Sequence, residues 1–572
     1  MDRDYYAHDL PRLRKGALMD ATPQHGPLAP LRHRTFLWFW LAFVAATMGT
    51  SMQTLGAQWY LVERDAPDAL VALVQGAVAL PMAVLALPAG ALADLLPRRA
   101  LMATVQSAGV LVGGCAALAT WTGSAGPETV LPLVLLLGAV YALVLTPFQA
   151  LISDVVPHGQ VPASAALVSI AANISRVLGP AVAGFLVARS GVPTVLAVST
   201  VGSACFVLAT LRWDGGPPPS SDRERVWAAT VGGLRYARHS PQMLRLMLRS
   251  FWFTAAMMSL FALLPLVADE QLGLGADGYG LLFAALGGGA IVGGLTAGVV
   301  RRHLTQNATV ATAFLLCAVV VGLLPTCSSP VVAAGLVVAG GWGWTTCLST
   351  MAGAIQVYLP AWVRARGLAI YSCALFGGQA GGALVLGQVA GAASLTVALW
   401  VAAAALLCGI PLARWLPLVE LDGLDRRPAR YWPEPSPEVA ADDLHGEVVV
   451  TVTYSVTASN QEAFHQAMSR VRRVRLRTGA TGWRLLRDIE TRGRYVEEFV
   501  VPSWAEHTRQ RSTRLVESDR HTEERAAQLC DATPVVTRHL RIQHAPYRPD
   551  PGALDHTGAR TASAPRDTRG DR

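Results

Sequence analysis

From Gly90 to Arg99 the chain reads Gly-Ala-Leu-Ala-Asp-Leu-Leu-Pro-Arg-Arg. Apolar runs at about 69–93 and 100–121 flank this stretch. Each is long enough to cross a bilayer, which takes about 20 helical residues. The decapeptide therefore reads as a tight turn between two crossings, with its arginines just outside the hydrocarbon. The same ruler carried outward gives twelve segments. The first six lie at about 36–62, 69–93, 100–121, 128–151, 163–189 and 192–211. The second six lie at about 246–270, 279–300, 308–326, 330–354, 366–390 and 393–416. The first run is of full membrane length and lacks a small-residue cleavage site, so it reads as a retained span and not a signal peptide.

Composition points the same way. The 572 residues are 52% hydrophobic and 15% charged, against about 25% charged in soluble domains. Mean hydropathy is +0.37. A disordered chain, a collagen-like fibre and a small disulfide scaffold are excluded. A soluble enzyme would need a more charged surface. The net charge of +8 would suit nucleic acid, but the arginines sort by loop instead. One side carries Arg32 and Arg34, Arg98 and Arg99, Arg212 through Arg249, Arg301 and Arg302, Arg364 and Arg366, and Arg414. The other carries Glu63, Asp65, Asp68, Glu128, Asp269, Glu270 and Asp277, with Arg64 and Arg189 as its notable cations. By the positive-inside rule both termini are cytoplasmic, and no nucleic-acid partner is expected. The eight cysteines form no CxxC pair, so neither a disulfide framework nor a metal site is expected.

The two halves repeat at an offset of 203 residues. Gly90 matches Gly293, Arg98 and Arg99 match Arg301 and Arg302, and Arg176, Gly179 and Gly184 fall opposite Gln379, Gly382 and Gly387. Six-helix halves in the same orientation imply a pseudo-two-fold axis along the membrane normal and a binding cavity between the halves near mid-bilayer. Between the halves, Gly215-Gly216-Pro217-Pro218-Pro219 is a linker signal, and the residues after it follow the spacing of an interfacial amphipathic helix or of an ordinary solvated one.

The Gly90–Arg99 loop resembles the signature loop of the major facilitator superfamily, with Leu95 where that family has Arg and Pro97 where it has Gly. Arg176-Val177-Leu178-Gly179-Pro180-Ala181-Val182-Ala183-Gly184 is similar to the Gly-Pro motif of superfamily exporters. Leu151-Ile152-Ser153-Asp154-Val155-Val156-Pro157 and Asn173-Ile174-Ser175-Arg176 resemble the branch of the enterobactin exporters and transmembrane secretion effectors. The resemblance covers about residues 30–418. It implies alternating access, export of a small molecule and proton antiport.

The residues suggest roles. Gly90, Asp94, Arg98 and Arg99 form the turn, and Asp94 could dock on the N-terminus of span eleven, next to Arg364 and Arg366, as a latch; the plain alternative is a headgroup anchor. Asp154 is a poor proton carrier at the bilayer edge. Gly179, Pro180 and Gly184 permit a bend and close helix packing. Arg176 is the ionisable residue deepest in a span and should face the cavity or a partner. With Asn173 it could hold an anionic or oxygen-rich substrate such as a catecholate siderophore; equally, it could bond backbone carbonyls or Gln149 and merely join helices. Gln53, Gln58, Gln75, Gln149, Gln379 and Gln388 are further polar residues in apolar surroundings and cavity candidates, with helix-to-helix bonding the default for any one of them. No Walker A pattern occurs, which argues against ATP hydrolysis. No catalytic residue and no cofactor are expected in this chain, which does not read as an enzyme.

After a Pro-rich linker, alternation over Glu447–Val456, a helical face at Phe464, Met468, Val471 and Val474, a hairpin turning at Thr491-Arg492-Gly493, a single helix over Trp504–Leu529 and a last strand at Pro534–Ile542 give the order βαββαβ, which is ferredoxin-like. Trp483, Tyr495, Glu498-Phe499, Ser503-Trp504-Ala505-Glu506-His507 and His539-Leu540 resemble antibiotic-biosynthesis-monooxygenase-like barrels. Such barrels are cofactor-free oxygenases or dimerisation modules. His507 and His521 read as surface histidines. The expected organisation is an N-terminal tail (1–34), a six-helix half (35–211), a central loop (212–245), a second half (246–418), a linker (419–444), an α+β domain (445–543) and a disordered tail (544–572). The expected protein is an all-α polytopic inner-membrane exporter of a siderophore, drug or secondary metabolite. A membrane-tethered oxygenase and a non-transporting scaffold are the rivals.

Overall fold

The computed structural model describes residues 26, 28–215, 223–418, 429 and 446–541. The chain divides into two compact units, a helical bundle and a small α+β domain. In the bundle, eleven helices are long and apolar enough to cross a membrane among the described residues. The longest, Val161–Leu211, has 51 residues, but Gly191 breaks it with φ 76° and ψ 168°. Only glycine enters that region without strain. The two arms, 161–190 and 192–211, are spans five and six, and the twelve expected segments are all present.

The other spans are Arg34–Val62, Asp68–Leu95, Arg98–Trp121 and Pro127–Val155 in the first half. In the second they are Pro241–Gln271, Ala276–His303, Gln306–Thr326, Pro330–Tyr358, Arg364–Ala392 and Leu395–Trp415. Span seven ends irregularly, with a π turn at Val267–Gln271. The helix Arg223–Arg238 of the central loop packs on the bundle: Tyr236 and Ala237 are buried, and a Cβ on Gly233 would sit 2.9 Å from Cβ of Arg366. An ordinary solvated helix would not bury them.

The 203-residue repeat acquires a physical meaning here. The first glycine of each pair packs within its own half: a Cβ on Gly179 would meet Cβ of Ser51 at 2.8 Å, and one on Gly382 the carbonyl of Ala255 at 2.1 Å. The second packs across the halves. A Cβ on Gly184 would lie 2.5 Å from the Ala276 carbonyl and 2.9 Å from Gly280 Cα; one on Gly387 would lie 2.7 Å from Cβ of Ala72. Both cross-half contacts fall at the end of the bundle that carries the acidic loops.

At the opposite, arginine-rich end the turn residues bind within the first half. Arg98 pairs with Asp154 at 2.5 Å, and Arg99 donates to the Leu211 carbonyl at the end of span six at 2.7 Å. A cation there also complements the helix dipole. Asp94 lies in the last turn of span two, but its side chain is outside the described set. Arg249, counted above with the loop cations, sits inside span seven at 1% exposure and donates to Asn307 at 2.9 Å. A single charge near the edge of an apolar run carries no sign of which side of the boundary it occupies.

In the α+β domain, β1 (Val448–Ser455), β2 (Gly482–Arg487), β3 (Arg494–Val501) and β4 (Val535–Leu540) form an antiparallel sheet of order β2-β3-β1-β4, the ferredoxin-like arrangement. Gly493, at the hairpin turn, has φ 82°, and a Cβ there would meet the Val456 carbonyl at 2.6 Å. The Gln461–Thr478 helix packs Phe464, Met468 and Val471 onto Val448, Val450, Val452 and Phe499. The single helix expected over Trp504–Leu529 is broken into Trp504–Arg509, a π turn at Gln510–Arg514, and Glu517–Ala527. Ser512 bonds back to the Thr508 carbonyl at 2.9 Å, a competition that bends helices.

An ion network lies inside this domain. Glu497, fully buried, accepts from Tyr454 Oη at 2.7 Å, Arg475 Nε at 3.1 Å and Trp483 Nε1 at 2.8 Å. Arg475 also pairs with Glu523 at 2.5 Å. Burial works against the Arg475 charge, but the two glutamates outweigh it and hold the guanidinium protonated. Removing one member of such a set leaves a buried charge without its partner. Glu497→Ala should destabilise the domain by about 3–5 kcal/mol, read as faster hydrogen exchange of the β1 and β3 amides in the full-length protein.

His507 is 1% exposed, which corrects the surface reading; its neighbours in sequence are polar, so nothing in the pattern marks it as buried. Arg538 Nε donates to its Nε2 at 3.2 Å. Burial first, then Arg538 and Arg511, push its pKa down to about 3, so it is neutral in the fold. The unfolded chain would take up a proton near pH 6.5. Its contribution to stability is full above that pH and is lost as pH falls from about 6.5 to about 3. The domain should therefore weaken by about 1.4 kcal/mol per pH unit over that window, and His507→Gln should flatten the slope by one proton in the same exchange measurement.

Candidate functional site: a two-sided cavity between the halves

A cavity of about 340 Å³ lies between the six-helix halves. The first half presents polar groups: Thr47, Thr50, Ser51 and Thr54 from span one, Gln75 from span two, Tyr141 from span four, Ser175 and Arg176 from span five. Several of these hydroxyls are tied down. Thr47 Oγ1 and Ser175 Oγ lie 2.8 Å apart, and Thr50 donates to the Ala46 carbonyl at 3.0 Å. The second half presents Met258, Phe261, Phe283, Trp344, Leu348, Leu375 and Phe376, with Gln379 as its polar member. Phe261 packs on Trp344 at 4.9 Å and on Phe283 at 5.9 Å between ring centroids.

Arg176 is exposed into this space and makes no hydrogen bond or ion pair with any other described residue. Gln379, its repeat counterpart, lines the same cavity from the other half. The remaining expected residues lie elsewhere. Asn173 is exposed and outside the lining. Gln53 is buried within the first half, beside Gln106, Leu137 and Val140. Gln149 lines a second chamber of about 640 Å³ with Gly90, Ala91, Leu145, Arg366 and Ser372. Gln149 is therefore not the partner of Arg176. The two chambers share Phe376, and the second leads to the arginine-rich end. Arg364 donates to the Leu359 carbonyl at 3.4 Å.

At the acidic end the cavity is capped. Gln58, fully buried, accepts from Gln75 at 3.0 Å and from Tyr279 Oη at 2.9 Å, and its own amide points to the carbonyls of Phe261 and Ala262 at 3.4 Å. Trp59 stacks on Tyr279 with centroids 5.9 Å apart. Four spans from both halves meet in this cap. Gln58 and Gln75 stand out in the sequence as polar residues within apolar runs, but Tyr279, Trp59 and the aromatic wall do not, because an aromatic residue in an apolar run carries no sign of the face it occupies.

A model of the transmembrane secretion effectors matches residues 25–546. The chain belongs to the transmembrane secretion effector family. Among this family member's relatives, the enterobactin exporter EntS of Escherichia coli K12 is 26% identical over 280 residues. The aligned region is 49% of this chain and 64% of that relative, so just under two thirds of the relative is matched. EntS of the Escherichia coli O1:K1 / APEC strain is 28% identical over 284 residues, again 64% of its length. Among solved structures, the nucleoside transporter NupG superposes with a TM-score of 0.55 at 13% identity, covering 68% of this chain and all of that one. A bacterial homolog of the lysosomal transporter Spinster gives 0.52 at 14% identity, covering 68% and 95%. At such identities these likenesses establish the fold alone; the family model places the chain in the major facilitator superfamily. The secretion effector described here is a multi-pass membrane protein.

Proposed function

We propose that this protein is a secondary transporter that exports a small amphipathic molecule by alternating access, with both termini in the cytoplasm. One observation carries the reading: the cavity sets an unpaired guanidinium and a bank of hydroxyls opposite an aromatic wall. A substrate with an acidic or oxygen-rich edge and an aromatic face would be complementary to both. Catecholate siderophores, acidic antibiotics and aromatic secondary metabolites have that shape, and the enterobactin exporters it resembles add support. The cap at the acidic end and the chamber reaching the arginine-rich end correspond to a cytoplasm-facing state.

Arg176 and Gln379 are assigned to substrate binding, and Gln149 to the entry chamber. Gly184 belongs to the closing seam, with Gly179 and Pro180 setting the bend of span five. The turn of Gly90, Asp94, Arg98 and Arg99 is assigned to gating together with Arg364 and Arg366. Among the described residues neither chamber is lined by Asp or Glu; Asp94 is assigned to the gate, and Asp154, held by Arg98 at the bilayer edge, is a poor proton carrier. The domain boundaries are those expected from sequence; the N-terminal tail up to residue 25, nearly all of the linker 419–444 and the tail 544–572 lie outside the described residues. The α+β domain is assigned a dimerising or ligand-sensing role rather than catalysis; the sheet face bearing Leu486 and Val535, both well exposed, is the side for a second copy.

Uptake into inverted membrane vesicles, over a panel of catecholates, acidic drugs and neutral drugs, tests the proposal. Accumulation of an aromatic acid, abolished by a proton uncoupler, is expected. Absence of uptake for every acidic compound would overturn it.

A further inference from the structure

A groove of about 380 Å³ lies outside the transport cavity, between spans one and six at the arginine-rich end. Its floor is apolar: Phe39, Ala42, Ala45, Leu208 and Ala209, with Cys205 at the inner end. Phe39 meets Trp213 edge-on at 5.9 Å and Phe206 at 6.1 Å, so the floor is rigid. Thr35 to Ala45 runs about 15 Å along the helix axis at 1.5 Å per residue. That is the depth of one leaflet of a bilayer core about 30 Å thick.

The mouth differs in chemistry. Arg212 lines it, exposed, and its guanidinium has no hydrogen bond or ion pair with another described residue. Arg99, which donates to the Leu211 carbonyl, stands beside it. Arg34 precedes the lining residue Thr35 and is exposed. Among the described residues Asp214 is the nearby opposing charge, and three arginines outnumber it. Trp38, 61% exposed, forms a wall at the level where tryptophan anchors to headgroups.

We propose that this groove is a binding site for one anionic phospholipid, with an acyl chain along Ala42, Ala45 and Cys205 and the phosphate at Arg212. Hydrocarbon buried to leaflet depth supplies affinity, and the arginines select the anionic headgroup. A lipid that merely surrounds the protein would show neither depth nor headgroup preference.

The test is native mass spectrometry of the full-length protein, extracted in mild detergent and supplied with phosphatidylglycerol and phosphatidylethanolamine of equal chain length. One phosphatidylglycerol should be retained in preference to phosphatidylethanolamine. Arg212→Gln should cut that preference about fivefold. Cys205→Trp, which fills the inner end and leaves the arginines, should lower retention of both lipids. Arg302→Gln, at the same membrane level but outside the groove, should change neither. Thermal melting of each variant confirms its fold. Equal retention of the two lipids by the wild type, or wild-type selectivity in Arg212→Gln, would overturn the site.

Discussion

Gly184→Val is expected to abolish transport, by more than tenfold, while the protein still reaches the membrane. The added side chain would enter a space where even a Cβ lies 2.5 Å from the Ala276 carbonyl and 2.9 Å from Gly280 Cα. Both are backbone atoms of span eight and cannot turn aside as a flexible side chain would. Close helix approach in bilayers depends on small residues at such crossings, and packed interiors have no spare volume. Spans five and eight would be held apart, and the cap built from Gln58, Tyr279 and Trp59 would not close. A cysteine replacing Tyr279 in a cysteine-free background should then react with an impermeant maleimide, whereas it should be protected when Gly184 is intact. Gly298→Ala is the control, because a Cβ there meets nothing within 4 Å. Normal transport by Gly184→Val would show that the acidic-end seam need not form.

Arg176→Gln should reduce uptake of anionic aromatic substrates about 10- to 100-fold and that of neutral ones only a few-fold. The side chain faces the cavity without a hydrogen-bond or ion-pair partner among the described residues, so its charge is available to a ligand. A charge-assisted hydrogen bond to a partly desolvated carboxylate or phenolate is worth about 1.5–3 kcal/mol, which is the origin of that range. Arg176→Lys should restore part of the uptake, since a point charge replaces a planar fork. Equal loss for charged and neutral compounds, with Arg176→Lys no better, would mean that the arginine only supports the helices around it.

The parts of this protein legible in sequence are those governed by the bilayer itself. Runs of about 20 apolar residues and the sorting of arginine from aspartate and glutamate located twelve segments, because hydrocarbon thickness and charge exclusion leave few alternatives. The repeat was equally visible, and Gly179, Gly184, Gly382 and Gly387 proved to be contact points. What the pattern could not show was facing. Gln53, Gln149 and Gln379 look alike in apolar surroundings, yet they occupy the packed interior of the first half, an entry chamber and the central cavity. A span bounded by lipid on one side and protein on the other is apolar all round, so periodicity carries little information about direction. Phe261, Phe283 and Trp344 were hidden for the same reason. Arg176 was found because an arginine within lipid is costly anywhere except at a wet or paired position. In the α+β domain, alternation fixed the strands, while nothing in the pattern of a charged helix or strand marks Arg475, Glu497 and Glu523 as buried.

Gly191 joins spans five and six through a single residue of left-handed backbone, without a loop between them. A corner that short has no slack to take up rotation. When the arm bearing Arg176 tilts, the arm bearing Cys205 and Arg212 must swing with it, as two sides of one set square. On the rocking motion proposed above, movement at the central cavity would therefore be felt at the lipid-facing groove, and the composition of the surrounding leaflet would bear on how readily the protein turns over.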